Sequence, residues 1–283
     1  MIDHRVHEVT FNGFEPVFVT MLSDVHIDSP RCAFDDLKKV CQERKELPNH
    51  RIIIIGDVAD LVLPPDAKRF RPSARRPELS SSDDWLTEVI EYVAGKLKEL
   101  GSPIDLIGRG NHEDAVLKHH GVDVTEEIAK RVGAVAGSYS GMLLYRWIGT
   151  KRKVVTFKIA YHHGAWGGVD AKGYQGAWRW FSRFRDWDIA VYGHNHAPRL
   201  DPEEVWELRA RQDGYKLMPK KVALVNLGSW VRPYDLGAKW PHYTEIRGYP
   251  TRPQSAALLK LHPVRVYAPG NKDYSVVDWS IEV

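Results

Sequence analysis

Residues 16–26 read P-V-F-V-T-M-L-S-D-V-H, an apolar run rich in β-branched side chains that stops at Ser23 and delivers Asp24 and His26 just beyond it. A run of this length and composition predicts a buried strand, so the Asp-x-His pair falls at the strand's carboxyl end. The pattern recurs along the chain. Residues 51–55 (RIIII) run into Gly56-Asp57, and 104–107 into Gly110-Asn111-His112-Glu113. Residues 154–161 run into His162-His163-Gly164, and 189–192 into Gly193-His194-Asn195-His196. A further strand is expected over 222–227, ending in Asn226-Leu227-Gly228-Ser229-Trp230.

Helices are expected between the strands. Phe34, Leu37, Val40 and Cys41 recur at helical spacing before Pro48. Trp85, Leu86, Val89, Ile90, Val93 and Leu97 do so between an N-cap at Asp83 and a stop at Gly101. A third helix is expected over about 113–131. This alternation predicts an α/β sandwich. The last piece, 264–283, reads as a hairpin turning at Pro269-Gly270-Asn271-Lys272. No repeat or linker divides the chain, so one domain over 1–283 is expected.

Composition removes several classes. In 283 residues, 43% are hydrophobic and 27% charged, which argues against wholesale disorder. No apolar run approaches the roughly 18 residues of a membrane helix. Two cysteines, Cys32 and Cys41, cannot build a disulfide framework or a thiolate zinc site and read as apolar positions. Met1 leads into Asp3, His4 and Arg5 with no apolar stretch, so a cytoplasmic location is expected. A net charge of +3 is too small to decide on a nucleic-acid partner.

The chemistry lies in where the histidines fall. Each polar cluster alone is a weak signal. Five of them at five strand ends are a stronger one, because ligands of α/β sheets gather outside the carboxyl ends of the strands. Carboxylate, amide oxygen and imidazole form a mixed N/O set that suits Mn, Fe or Zn better than the all-oxygen cages of Ca or Mg. Seven candidate ligands (Asp24, His26, Asp57, Asn111, His163, His194 and His196) are too many for one ion and suit two. Paired metals about 3.5–4 Å apart are the recurring clamp of phosphoester hydrolysis.

In this order the motifs resemble those of the calcineurin-like metallophosphoesterase superfamily: D-x-H, G-D-x-x-D, G-N-H-[ED], H-G and G-H-x-H. They stand here as Asp24-Val25-His26, Gly56-Asp57-Val58-Ala59-Asp60, Gly110-Asn111-His112-Glu113, His163-Gly164 and Gly193-His194-Asn195-His196. The resemblance spans residues 24–196 and implies a four-layer sandwich, two mixed β-sheets flanked by helices. It also implies two divalent ions as cofactors, manganese first, with iron, zinc or nickel also fitting. Asp24, His26 and His196 would hold the first ion and Asn111, His163 and His194 the second, with Asp57 bridging. His112 would act as general acid beside a hydroxide shared by the metals, and Glu113 or Asp60 would orient imidazoles. His162 and His163 point to opposite faces of a strand, so only one can reach the ions; the family pattern selects His163. The arginine that follows G-D-x-x-D in the protein-phosphatase branch is replaced by Leu61, which counts against that branch.

Three stretches around these motifs bear on substrate. The insertion at 64–82 (PPDAKRFRPSARRPELSSS) is basic and proline-rich, and is either a solvated excursion or a phosphate-holding element that uses Arg69, Arg71, Arg75 and Arg76. The loop 164–176 follows His163 and offers Lys172. Beyond it Trp178, Trp180, Phe181 and Phe184 alternate with arginines. Trp180, Phe184 and Trp187 fit the core face of a helix, while the mixture also suits a nucleobase. Ser229 is a candidate supporting residue, and 232–252 either caps the site or wraps the sheet edge. Together these favour a phosphodiester substrate of nucleic-acid or nucleotide type, with no membrane partner. A small-molecule phosphomonoesterase, or a catalytically silent metal- or nucleic-acid-binding scaffold, is the alternative.

Overall fold

The computed structural model describes residues 5–62, 75–79, 84–149, 154–166, 171–211, 214–232, 234, 243–246, 248, 250–266 and 274–283. Two six-stranded mixed sheets pack face to face, with helices on both outer sides. The first sheet is built around β2 (Val17–Leu22), β3 (His50–Ile55), β4 (Ile104–Gly108) and the short β5 (Val135–Ala136), all parallel. It is extended by the antiparallel pair β11 (Ala257–Val266) and β12 (Tyr274–Glu282).

The second sheet runs in the order β1 (Val6–Asn12), β6 (Ser140–Ile148), β7 (Val154–His162), β8 (Ile189–Tyr192), β10 (Gly214–Asn226), β9 (Arg199–Arg211). Within it β7, β8 and β10 are parallel. The carboxyl ends of β2, β3 and β4 therefore meet those of β7, β8 and β10 along one rim.

Three apolar clusters account for four layers. Val19, Met21, Ile53 and Ile55 of the first sheet interdigitate with Tyr145, Trp147, Phe157 and Val191 of the second. The opposite face of the first sheet, Leu22, Ile52 and Ile54, packs under α1 (Phe34–Arg44), α2 (Trp85–Lys98), α3 (Asn111–His120) and α4 (Val124–Val132). On the far side, α5 (Ala171–Phe181) sets Ala177 and Phe181 against Ala190, Tyr192 and Leu224. Strands buried on both faces carry near-continuous apolar runs, which is why RIIII stood out in the sequence.

Some expectations need correction. The single helix over 113–131 is two helices, α3 and α4. Gly121 ends the first in the left-handed conformation, φ 70°, and the Asp123 carboxylate caps the second by accepting from the Glu126 N–H at 3.1 Å. Phe184 and Trp187 lie beyond the end of α5. Phe181 takes the core position, Trp187 is buried and Phe184 is exposed. The strand over 222–227 is the end of the longer β10, paired with β9, whose position at the sheet edge tolerates Pro202. The hairpin of β11 and β12 is as expected, while its turn, 267–273, lies outside the described residues, as do Asp83 and most of the insertion at 64–82. No helix among the described residues is long and apolar enough to cross a membrane.

One polar contact ties the sheets together within the apolar interlayer. The Tyr145 hydroxyl of β6 donates to Asp105 Oδ2 of β4 at 2.7 Å, and Arg51 Nε of β3 donates to Asp105 Oδ1 at 2.9 Å. Asp105→Ala, which strands a buried hydroxyl and a guanidinium, should cost about 3 kcal/mol. Tyr145→Phe leaves the ion pair intact and should cost about 1 kcal/mol. Urea titration of the two variants checks the order.

Candidate metal centre

Each of the five polar clusters sits where its strand leaves a sheet, and at three of them the chain takes an uncommon turn. Asp24 (φ 51°), His26 (φ 50°), Asp57 (φ 46°), His194 (φ 74°) and His196 (φ 54°) all adopt left-handed backbone without being glycine. Such residues cost roughly 1–3 kcal/mol each and persist only where the surroundings over-determine them. Backbone hydrogen bonds supply part of that constraint: Asp24 N donates to Gly56 O (3.1 Å), His26 N to Asp57 O (3.1 Å) and Gly193 N to His163 O (2.9 Å).

Two glycines permit the approach. A Cβ on Gly110 would collide with the Asp57 carboxylate, and one on Gly193 with Ser23 Oγ and the Asp24 carboxylate.

Both buried carboxylates have one oxygen held by protein donors and the other turned to the cluster. Asp24 Oδ2 accepts from Ser23 Oγ (2.5 Å) and His194 N (2.8 Å), leaving Oδ1 at 3.2 Å from His196 Nε2. Asp57 Oδ1 accepts from His112 N (3.0 Å), leaving Oδ2 at 3.2 Å from His163 Nε2. His163 Nδ1 faces the Ile55 carbonyl at 2.9 Å, which directs Nε2 inward, 3.1 Å from Asn111 Oδ1. Asn111 Oδ1 also lies 2.8 Å from His194 Nδ1. Ligand-type atoms thus converge in two groups, Asp24 with His26 and His196, and Asp57 with His163 and His194.

This donor set fits cations. It brings carboxylate and amide oxygens and imidazole nitrogens together, and the buried Nε2 of His26 has no hydrogen-bond partner among the described residues. The electrostatics agree. Burial pushes the Asp24 carboxyl up, but the His196 imidazole outweighs it and holds the group at about 2. Burial likewise opposes ionisation of Asp57, and His112, His163 and His26 carry it well below the usual range. Burial would depress His163, yet the neighbouring Asp57 and Asp24 carboxylates raise it to about 10.

A third group joins His26, Asp60 and His112. The Asp60 carboxylate lies 3.3 Å from His112 Nδ1 and 3.4 Å from His26 Nδ1, and the Asp60 carbonyl also faces His112 Nδ1. Nε2 of His112 is left towards Asp57, 3.7 Å from its Oδ2. Of the two candidate orienting acids, Asp60 touches imidazoles. Glu113 instead accepts backbone N–H groups, from Gly110 (2.8 Å), Asp57 (3.1 Å) and Ala59 (3.1 Å), and so fixes the loop that carries Asp57. His162 turns away from the ligand groups. Its Nδ1 accepts from Gly164 N at 2.8 Å and its ring packs on Trp166 and Trp180; burial, then the charges of His163 and His194, lower it to about 4.

Sequence reasoning missed Asp28, whose buried carboxylate accepts the backbone N–H groups of Asp60 and Leu61. The signal was there as a third polar residue in Asp24-Val25-His26-Ile27-Asp28. It also missed Tyr139, which stands edge-on to His163 and donates to Gly164 O at 2.7 Å, and for which no pattern existed. Ser229 does support the site, its Oγ donating to Asp24 O at 2.9 Å.

The substrate candidates are dispersed. Arg75 lies over the Trp85 ring and donates to Val62 O, and Arg76 donates to the carbonyl of Ile27, next to His26. Arg69, Arg71 and the side chain of Lys172 lie outside the described residues, as does most of 232–252.

The family model that matches the sequence is the calcineurin-like phosphoesterase, over residues 19–198. The chain belongs to that family. Its chemistry is metal-dependent hydrolysis of phosphoesters, and the two ligand groups lie within the matched segment. No curated protein matches the sequence. Among solved structures, Vps29 of Chaetomium thermophilum is 12% identical over 95% of this chain and 96% of its own, with a TM-score of 0.34. The NAD nucleotidase NadN of Haemophilus influenzae is 9% identical over 93% and 49%, with a TM-score of 0.42. The nuclease MPE of Pseudomonas putida is 14% identical over 91% and 86%, with a TM-score of 0.32.

Gly110→Ala should weaken metal binding by about 10–100-fold, the range for disturbing groups that orient ligands. Gly95→Ala, whose Cβ meets open space on α2, should leave binding unchanged and raise stability by about 0.5–1 kcal/mol. Metal titration and thermal unfolding of both variants check this.

Proposed function

We propose that this calcineurin-like phosphoesterase hydrolyses a phosphodiester of nucleic-acid or nucleotide type at a two-metal centre. The carrying observation is the pair of ligand groups at facing strand ends. Asp24, His26 and His196 hold one ion, and Asn111, His163 and His194 the other. Asp57 would serve both, since His112 N occupies its Oδ1 and Oδ2 is turned to the cluster. When bound, such ions neutralise phosphoryl oxygens and make water a competent nucleophile near neutral pH, and manganese is the first candidate.

The chain's own residues do the rest. His112 supplies the proton to the leaving-group oxygen from Nε2, while Asp60 holds Nδ1 and fixes the ring's orientation. The edge-on packing of His112 on His26, with centroids 4.7 Å apart, keeps that proton donor beside the first ligand group.

Support for a diester comes from the periphery. Leu61 stands where the protein-phosphatase branch has arginine. The last residues of the basic insertion are anchored beside the centre through Arg76 and the Ile27 carbonyl. The arginines Arg69 and Arg71, and Lys172, are the candidates to hold further phosphates.

His112→Ala should keep both ions and lower turnover by about 10²–10⁴-fold. With Mn added, bis-p-nitrophenyl phosphate should be cleaved faster than p-nitrophenyl phosphate. Arg69→Ala with Arg71→Ala should raise KM for an oligonucleotide more than for that small diester. A preference for the monoester with no effect of the arginine changes would favour a small-molecule phosphomonoesterase.

A further inference from the structure

The four most exposed large apolar side chains among the described residues all lie on one hairpin: Tyr215 (75% exposed), Trp206 (66%), Leu208 (64%) and Leu217 (62%). The hairpin is β9 with β10, in unbroken antiparallel register from Asn226 opposite Arg199 to Gly214 opposite Arg211. Leu208 stands opposite Leu217 and Trp206 opposite Pro219. Opposed residues share a face and alternate residues repeat it, so Trp206, Leu208, Tyr215, Leu217 and Pro219 form one apolar surface.

That surface continues the interlayer core. Ala223 and Val225, on the same side of β10, are buried between the sheets, while Val222 and Leu224 face α5. The cover ends at Lys221, whose ammonium rests on the Trp279 ring of β12 at 4.2 Å. From there to its tip the ribbon runs past the opposite sheet with its inner face in water. Leu217 is nine residues from Asn226, roughly 30 Å of strand, on the end of the molecule away from the metal centre.

We propose that this face binds the same face of a second copy, making a two-fold dimer. Side chains of this size leave on the order of 500 Å² of apolar surface in water per copy. Two such faces together cover on the order of 1,000 Å², the area from which an interface is stable. The apolar character of the ribbon suits an antiparallel pairing. On this face Glu204 stands opposite Lys221 at the base, whereas Glu203, Arg209 and Lys216 alternate onto the face towards α5, so the surface from Trp206 to Tyr215 carries no charge that pairing would bury. Lys221 is turned to its own subunit, on the Trp279 ring. Isologous pairing of this kind closes on itself and leaves no apolar surface to propagate.

The test is mass in solution. Light scattering across a concentration series should show the full chain passing to twice its 32.3 kDa. Leu208→Glu with Leu217→Glu puts two like charges on the axis of the patch and should return the monomer. Because the patch is remote from the centre, metal content and turnover should be unchanged, which also shows that the variant folds. A wild-type monomer at every concentration, or a dimer that survives the double substitution, overturns the proposal. So does a monomer that sediments with anionic vesicles and loses this in the variant, an outcome that would assign the face to a membrane surface.

Discussion

Two fully buried carboxylates, Asp24 and Asp57, lie at neighbouring strand ends, and the rest of the rim is arranged around the cost of keeping them charged there. Ionised carboxylates out of water are stable only when paired or hydrogen-bonded. Each is therefore given backbone donors on one oxygen and imidazoles on the other. Left-handed turns at Asp24, His26, Asp57, His194 and His196 accompany this arrangement at the same rim. Gly110 and Gly193 stand where any Cβ would displace the carboxylates.

A second set of acids holds this arrangement rigid without facing the centre. Glu113 spans the backbone from Asp57 to Gly110, and Asp28 binds the turn at Asp60 and Leu61. Burial and neighbouring negative charge, Asp57 for Glu113 and Asp60 for Asp28, push both carboxyls upward, with the backbone N–H groups opposing. Asp60 links the layers, since its backbone is fixed by Asp28 while its carboxylate addresses His26 and His112. Position at the centre is thus set by hydrogen bonds that run through the peptide groups of three loops.

Much of this was legible in the sequence. The strands β2, β3, β4 and β8 are buried on both faces, so their apolar runs are continuous, and the polar clusters begin where they stop. The period of a strand allowed only one of His162 and His163 to face the centre, and the resemblance to the family's H-G pattern selected His163. What stayed hidden was set by context. β1, β6 and β9 carry mixed or charged sequences because one face or one edge meets solvent. Asp28 showed only as one more polar residue after His26, and Glu113 through the G-N-H-[ED] pattern; that both hold peptide N–H groups rather than imidazoles leaves no mark on residue spacing. The break between α3 and α4 was readable from Gly121 and Asp123, which end one helix and start the next, and helical periodicity on either side concealed it.

The central claim is that the rim is a two-ion site organised by Asp57. Anomalous scattering from crystals of the protein reconstituted with manganese tests it most directly. Two ions about 3.5–4 Å apart should appear, one among Asp24, His26 and His196 and one among Asn111, His163 and His194, with Asp57 Oδ2 between them. A single ion, or ions outside these two groups, would contradict the account.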